Sequence, residues 1–276
     1  MTTYHPAPPL TSSSRRYARY NAASAWTLPA GMSYAEAASF PIPYLTAVQT
    51  LYFRHNLPYP SAIAPGTAST ENILIWGGAT AVGHHAIQLA HRSGLRVVAV
   101  AAARNHAFLK AIGAAATIDY HDTDALAQIR DALSGLPLRR AVDAVCEKGS
   151  TDIVIDAIDE GGGYVTATLP VAAPTAARRT DITVEFVLVL TLVTRGPITI
   201  AGGHTIPHIP DDNEKALAWC AREHPALVAG WVEGKGSAAG YRAQKLRVGQ
   251  GLEGVMEGLE IMKRGEYGAE KLVYNI

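Results

Sequence analysis

Cysteine is nearly absent, with Cys146 and Cys220 the only two. Two cysteines cannot build the disulfide framework of a small secreted domain, nor a clustered thiolate zinc lobe. A reducing, cytoplasmic setting is the expectation. An excess of one charge is also missing. Lys and Arg number 24 and Asp and Glu 24, for a formal net charge of zero. No general basic field exists to hold nucleic acid or an anionic membrane. Long hydrophobic runs are lacking too. The most apolar stretch, Val184–Val193, carries Glu185 and falls far short of the ~20 residues that span a bilayer. The opening residues, MTTYHPAPPLTSSSRRY, lack the apolar core of a secretory signal, about 7–15 residues. Neither a nucleic acid nor a membrane is an expected partner.

What is present suits a globular enzyme. The 276 residues are 48% apolar and 17% charged, enough for a large core in one or two domains. Residues 1–23 are rich in Pro, Ser, Thr and Arg and read as an irregular tail. Residues 35–53 are helix-forming, with Pro41 and Pro43 separating two pieces. From Asn72 the pattern alternates. Strands are expected at 72–76, 96–101, 116–120, 141–146 and 163–167, with helices between them at 82–92, 106–112, 125–133 and 150–158. Short apolar runs separated by helical spacing imply parallel βαβ units. The fold class is therefore α/β, a doubly wound parallel sheet of Rossmann type. Further on, a strand is expected at 199–202 and a helix at 213–224. An amphipathic helix over 249–263 carries Leu252, Val255, Met256, Leu259 and Met262 on one face, and a last strand covers 271–276.

One segment carries chemistry: Ile73-Leu-Ile-Trp-Gly-Gly-Ala-Thr-Ala-Val-Gly83, followed by a helix. Backbone N–H groups at a glycine-bracketed helix start make an anion site. Gly77 and Gly78 permit the tight turn, and small Ala79 and Ala81 admit a diphosphate to the backbone. Thr80 offers a hydroxyl, Val82 opens the helix, and Gly83 lets that helix approach the strand. The spacing departs from strict G-x-G-x-x-G, and an ordinary tight strand-to-helix turn is the alternative. An NAD site places an acid ~20 residues on, against the ribose hydroxyls. Here the second strand ends in Ala-Ala-Ala-Arg104-Asn105, with no acid at its tip. Arg104 instead offers a permanently charged fork for a phosphate, so NADP(H) is the expected cofactor, with a solvated loop charge as the alternative for Arg104.

Four stretches, AWTLPAGMSYAEAASFPIPYLTAVQTLY, ILIWGGATAVGHHAIQLA, GAAATIDY and EKLVYNI, resemble the medium-chain dehydrogenase/reductase superfamily. The similarity is greatest to its zinc-free fungal subgroup, which includes trans-acting enoyl reductases of polyketide pathways, and it covers residues 17–276. It implies that Gly78–Gly83 meet the pyrophosphate. It implies too that Arg104 and Asn105 form the 2′-phosphate turn, where alanines replace the family's Ser-Pro. By the same resemblance Tyr120 lies near the adenosine phosphate, Leu169 and Pro170 near the nicotinamide, and Thr46 where a helix start approaches it. Family members carry a GroES-like catalytic domain ahead of these motifs. Residues 16–20 resemble its end, so the fold expected here includes only a truncated remnant of it. The expected division is 1–43 for tail and remnant, 44–265 for the nucleotide-binding domain and 266–276 for a strand that has lost its partners. An open cofactor face then needs a cover: residues 1–43, the segment 194–212, or the second subunit of a homodimer.

Other candidates are weaker. Tyr44 and Thr46 are the polar groups expected near the reacting centre, Tyr44 as a proton donor or as a packed ring that bonds a carbonyl. Tyr241 and Tyr267 have no better claim. His204 and His208 stand four apart, but Pro207 and Pro210 disfavour a helix and no third ligand is evident, so no metal is expected. His84 and His85, at the helix start, are expected to face solvent or phosphate. Asp143, Glu147 and Lys148 lie where such sheets bind ligands, with solvated loop charges as the alternative. No nucleophile elbow is present. The reading is an NADPH-dependent reductase of an activated alkene or carbonyl in secondary metabolism. Its substrate is a small molecule, carrier-protein-linked in the polyketide case. The alternatives are a redox-inactive cyclase or isomerase on a polyketide-type substrate and a non-catalytic binding module.

Overall fold

The computed structural model describes residues 25–276 apart from 65, 195, 201, 202, 204 and 267. The tail, the 16–20 segment, His204 and Tyr267 lie outside the described residues. Ser33 caps α1 (Tyr34–Ser39). Its hydroxyl accepts the Glu36 N–H at 3.3 Å and the Glu36 carboxylate accepts the Ser33 N–H at 3.0 Å, a reciprocal capping box. The prolines divide the helices as expected, because α2 (Pro41–Val48) begins on Pro41, where a missing N–H costs nothing. It continues directly into a π-helical turn, Gln49–Arg54.

The alternating segment follows as β1 (Asn72–Trp76), α3 (Ala81–Arg92), β2 (Arg96–Val100), α4 (His106–Ala111), β3 (Ala114–Ile118), α5 (Ala125–Ala132), β4 (Leu138–Asp143), α6 (Ser150–Ala157), β5 (Gly163–Ala167), α7 (Ala173–Ala176) and β6 (Ile182–Phe186). All six strands pair in parallel, in the order β3-β2-β1-β4-β5-β6. The chain winds outward from β1 to β3, then restarts at β4 on the other side, so the crossover point lies between β1 and β4. Alternate residues of β1 serve opposite cores. Ile73 and Ile75 pack with Tyr44, Leu89, Val97 and Trp219, while Leu74 and Trp76 pack with Val98, Ile129, Val154 and Ile155.

The remaining chain forms a hairpin of β7 (Ile198–Thr199) and β8 (Thr205–Ile206), then α8 (Pro210–Arg222) and α9 (His224–Val228). It ends in a separate parallel unit of β9 (Lys245–Gln250), α10 (Gly251–Lys263) and β10 (Glu270–Asn275). Two expectations are corrected here. The last strand does have a partner, β9, within its own chain. And α10 turns its glycines, not its leucines and methionines, toward the strands. The ring of Tyr274 lies against Gly249, Gly254 and Gly258, where a Cβ would overlap it or touch it. Leu252, Met256, Leu259 and Met262 face out. Among the described residues no helix is long and apolar enough to cross a membrane.

Candidate active site

Parallel strands bring all their carboxyl ends to one edge, and ligands of open α/β sheets bind outside that edge at the crossover point. The glycine turn between β1 and α3 lies there. Gly77 takes φ +81, and a Cβ on it would stand 2.6 Å from Val145 Cγ2. A Cβ on Gly83 would overlap the Gly77 carbonyl, so this helix start touches the strand end only because residue 83 has no side chain. Gly77 and Gly78 donate their N–H groups to Val100 O at 3.0 and 2.9 Å. Thr80 is the N-cap, its hydroxyl oxygen accepting the Gly83 N–H at 3.0 Å. Three N–H groups, those of Ala79, Ala81 and Val82, have no partner among the described residues. With the positive end of α3 behind them, they form a small anion cradle.

The neighbouring strand supplies a cation. Arg104 sits in a 3₁₀ turn, Ala103–Asn105, directly after β2. It is exposed and makes no hydrogen bond or ion pair with the described residues. Gly268 lies beside it, where a Cβ would come within 3.5 Å of the guanidinium Nε. Asn105 spends no side-chain hydrogen bond either, and its N–H closes the turn on Ala102 O at 2.9 Å. Tyr120 follows β3, with 46% of its surface exposed and its ring 4.1 Å from that of His121. The sequence reading missed an acid here. Asp119 accepts the Ala103 N–H at 2.9 Å and the His121 N–H at 2.9 Å. Those two backbone N–H groups hold its carboxyl down at about 2, so it is ionised beside the Arg104 turn. The signal lay in Ile118-Asp-Tyr120, the end of an adjacent strand and not of β2 itself.

Asp143 at the end of β4 is not a solvated loop charge. Its carboxylate is buried and accepts Val145 N and Cys146 N at 2.9 Å each, Ser150 Oγ at 2.6 Å and Thr151 Oγ1 at 2.7 Å. Those four bonds hold a loop in which Cys146 (φ 57) and Lys148 (φ 52) are left-handed without being glycine, a costly conformation that needs such support. Glu147 and Lys148 are exposed. Burial and the Asp143 charge push the Cys146 thiol up, which keeps it protonated. Leu169 and Pro170, past the end of β5, are exposed on the same edge.

The two residues expected at the reacting centre part company. Thr46 is 7% exposed and donates its hydroxyl hydrogen to Ile42 O at 2.7 Å. Tyr44 has no exposed surface. Its oxygen accepts the Trp219 indole N–H at 2.8 Å and lies 3.3 Å from His224 Nδ1. Burial raises its pKa well above the ordinary value. In this packing Tyr44 has no atom with which to meet a substrate, and its bond is to an indole, not a carbonyl. His84 and His85 face neither solvent nor phosphate. Both are 1% exposed, and they turn into the core toward Arg242 O at 3.1 Å and the Tyr241 hydroxyl at 2.8 Å. The reason is helical rotation: the residues that bear on the turn are 80–83, and the next two already point inward.

Behind Thr46, the π-helical turn feeds a buried polar network. Arg54 clamps Asp212 with two bonds of 2.8 and 2.6 Å and reaches Glu185 at 2.6 Å. Gln49 and Thr191 add bonds to Asp212 of 2.9 and 2.7 Å. This ties Thr191 and Asp212 to the π-helical turn. Away from this edge, a 660 Å³ cleft lies at the amino ends of β2 and β3, lined by Gln88, Arg92, Arg96, Lys110 and Gly240. Among the described residues no group of three or more His, Cys, Asp or Glu is placed to hold a metal.

The sequence model of zinc-binding dehydrogenases matches residues 81–219, half of the chain. The chain belongs to the zinc-binding dehydrogenase family. This places it among oxidoreductases of the medium-chain dehydrogenase/reductase superfamily. The trans-enoyl reductase caaB of Aspergillus niger is 30% identical to this dehydrogenase-family chain, over 99% of its length and 74% of that protein's. The trans-enoyl reductase mpsG of Macrophomina phaseolina is 32% identical over 96% of this chain and 73% of that protein. Among solved structures the CurK enoyl reductase superposes with a TM-score of 0.65 at 16% identity, over 90% of this chain and 64% of that one. At that identity the likeness speaks for the fold alone. This family member spans about two thirds to three quarters of the length of these proteins.

Proposed function

We propose that the chain binds NADP(H) along the carboxyl edge of its sheet and reduces an activated carbon–carbon double bond, or a carbonyl, of a small molecule. The substrate class is an enoyl group, in line with the names of its relatives, and our reading has it carried as a thioester on a carrier protein. One observation carries the reading. The N–H groups of Ala79, Ala81 and Val82 and the guanidinium of Arg104 are donors on adjacent strand ends with no partner among the described residues. A dinucleotide with a 2′-phosphate is an anion of matching shape, and Gly77, Gly78 and Gly83 leave room for its diphosphate.

When bound, the nicotinamide supplies hydride chemistry. The protein's part is to hold and orient. The α3 start takes the diphosphate, and Thr80 has its hydroxyl hydrogen free to help. Arg104 and Asn105 take the 2′-phosphate, with Tyr120 beside them. Leu169, Pro170 and Thr46 bound the nicotinamide end. Thr46 gives its hydrogen to Ile42 O, so the proton that completes the addition comes from water. The reading carries a cytoplasmic location, which the free thiols of Cys146 and Cys220 suit.

The test is a titration of the full chain with NADPH and NADH, followed by nicotinamide fluorescence. At least tenfold preference for NADPH is expected, or about 1.4 kcal/mol. Arg104→Ala removes it, and Asp119→Asn increases it by lifting a negative charge from the turn. Enones and enoyl thioesters are then screened for NADPH consumption. No binding of either nucleotide overturns the reductase reading and leaves the redox-inactive catalyst in its place.

A further inference from the structure

The π-helical turn that follows α2 puts two side chains on one carboxylate. Residues five apart on an α-helix stand about 140° apart around its axis. A π turn, closed by i→i+5 bonds such as His55 N–H to Thr50 O at 3.0 Å, brings residues five apart to the same side. Gln49 and Arg54 are the first and last residues of this turn, and both bond Asp212. Arg54 does so with a two-pronged fork and spends its Nε–H on Glu185 of β6. The Asp212 side chain has no exposed surface and that of Arg54 only 9%. An ion pair this far out of water is a weak source of stability, because apolar side chains of like volume often do as well. What a fork fixes is geometry, since its two parallel bonds set distance and plane together.

The pieces it fixes lead to the end of the carboxyl edge that our reading gives to the nicotinamide. Thr46 lies on α2, one turn before Gln49. The chain leaving β6 is bonded to the end of β5, Val187 N–H to Ala167 O at 2.9 Å, and Leu169 and Pro170 follow directly. The 3₁₀ turn after β6, Val189–Leu192, is tied to the start of α8 twice. The Thr191 hydroxyl donates to Asp212 at 2.7 Å, and the Asn213 amide donates to Leu192 O at 2.7 Å. Three pieces distant in sequence thus meet on one guanidinium. The α3 start and the Arg104 turn share no hydrogen bond with this network among the described residues. On the reading that a dinucleotide lies along this edge, we propose that Arg54 and Asp212 form a positioning clamp. They hold α2 and the turn after β6 at the spacing that the nicotinamide half requires, and they take no part in holding the adenosine half.

The experiment compares two ligands on the full chain by calorimetry. One is NADPH, and the other is adenosine 2′,5′-bisphosphate, which keeps the 2′-phosphate and lacks the nicotinamide. Arg54→Lys keeps the charge and loses the fork. Thr191→Val keeps the shape and loses the hydroxyl. Each should weaken NADPH at least about fivefold and leave the bisphosphate within about twofold. The fluorescence of bound NADPH should move toward that of the free cofactor. Asn72→Ala removes two bonds at the opposite edge of the sheet, to Leu133 O and Leu136 O, and should change neither affinity. NADPH binding that both variants leave intact overturns the clamp while the cofactor reading stands. So does an equal loss of both ligands, or a loss that Asn72→Ala reproduces, because the network then serves stability alone. If the wild-type chain binds neither ligand, the cofactor reading falls and the clamp with it.

Discussion

The molecule builds the same parallel β–α–β unit near its start and at its end, and treats the two in opposite ways. In β1–α3–β2 the helix buries eight of its twelve residues, among them Ile87 and Leu89, and the strands are covered on both faces. In β9–α10–β10 the helix buries one glycine, and every residue of β9 and β10 keeps some exposure. Both units use glycine for close approach, Gly83 against the Gly77 carbonyl and Gly258 against Tyr274. In the first the approach builds an anion cradle. In the second it thins the helix–strand contact and leaves the larger side chains outside. Close glycine packing thus leaves backbone N–H groups open when polar backbone lies behind it and exposes a surface when an aromatic ring does.

Four measurements test how far the two regions differ, taken from the largest expected effect to the smallest. Arg54→Met strands the buried carboxylate of Asp212 beside the π-helical turn, and an unpaired buried charge costs about 3–5 kcal/mol. A correspondingly large fall in urea midpoint is expected, while Glu260→Gln, on the exposed unit, leaves the midpoint in place. Next comes Gly258→Ala. The new methyl meets Tyr274, and overpacking of this kind costs about 1–3 kcal/mol. The loss should appear as faster amide exchange in β9, α10 and β10, with nicotinamide binding unchanged. If nicotinamide binding falls too, the two units are coupled.

The third is a pH profile. Burial holds His55 at about 3 and His84 and His224 at about 4, below the ordinary value of about 6.5. All three are neutral in the folded protein at pH 7. The unfolded chain takes up protons first as pH falls, so their contribution to stability is complete above about 6.5 and drains away toward 4. The melting temperature should drop across that window, and His84→Gln should flatten the drop. A profile with no slope there would mean that these rings are hydrated and not buried. The smallest effect belongs to Leu252→Ser, at a position 64% exposed. A surface change away from any packed feature stays within about 0.5 kcal/mol. A larger loss would show that the outward face packs within one copy.

Much of the fold was legible in the residues. The strand over 72–76 and that over 163–167 match to the residue, because short apolar runs flanked by glycine or a turn admit no other reading. The helix at 82–92 begins one residue earlier, on Ala81, with Thr80 as its cap. β6 was hidden, since Ile-Thr-Val-Glu-Phe carries a charge that makes sense only beside Arg54. β9 was hidden for a like reason. Its Lys245 and Arg247 look like solvent-facing charges until Glu270 of β10 is set beside them. At the candidate site the glycine turn and Arg104 could be read directly. Asp119, from the next strand over, could not.

The sequence alone determined the parallel α/β architecture and the glycine turn ahead of α3, because both rest on local properties: apolar periodicity, and glycine where no Cβ can be tolerated. Tertiary structure decided which way each side chain of a helix points. It put Tyr44, His84 and His85 into the core, gave the last strand a partner, and turned the leucines and methionines of α10 outward. Periodicity defines a helix's faces, but only the neighbour in space, here Tyr274 filling a glycine groove, selects the face that is buried.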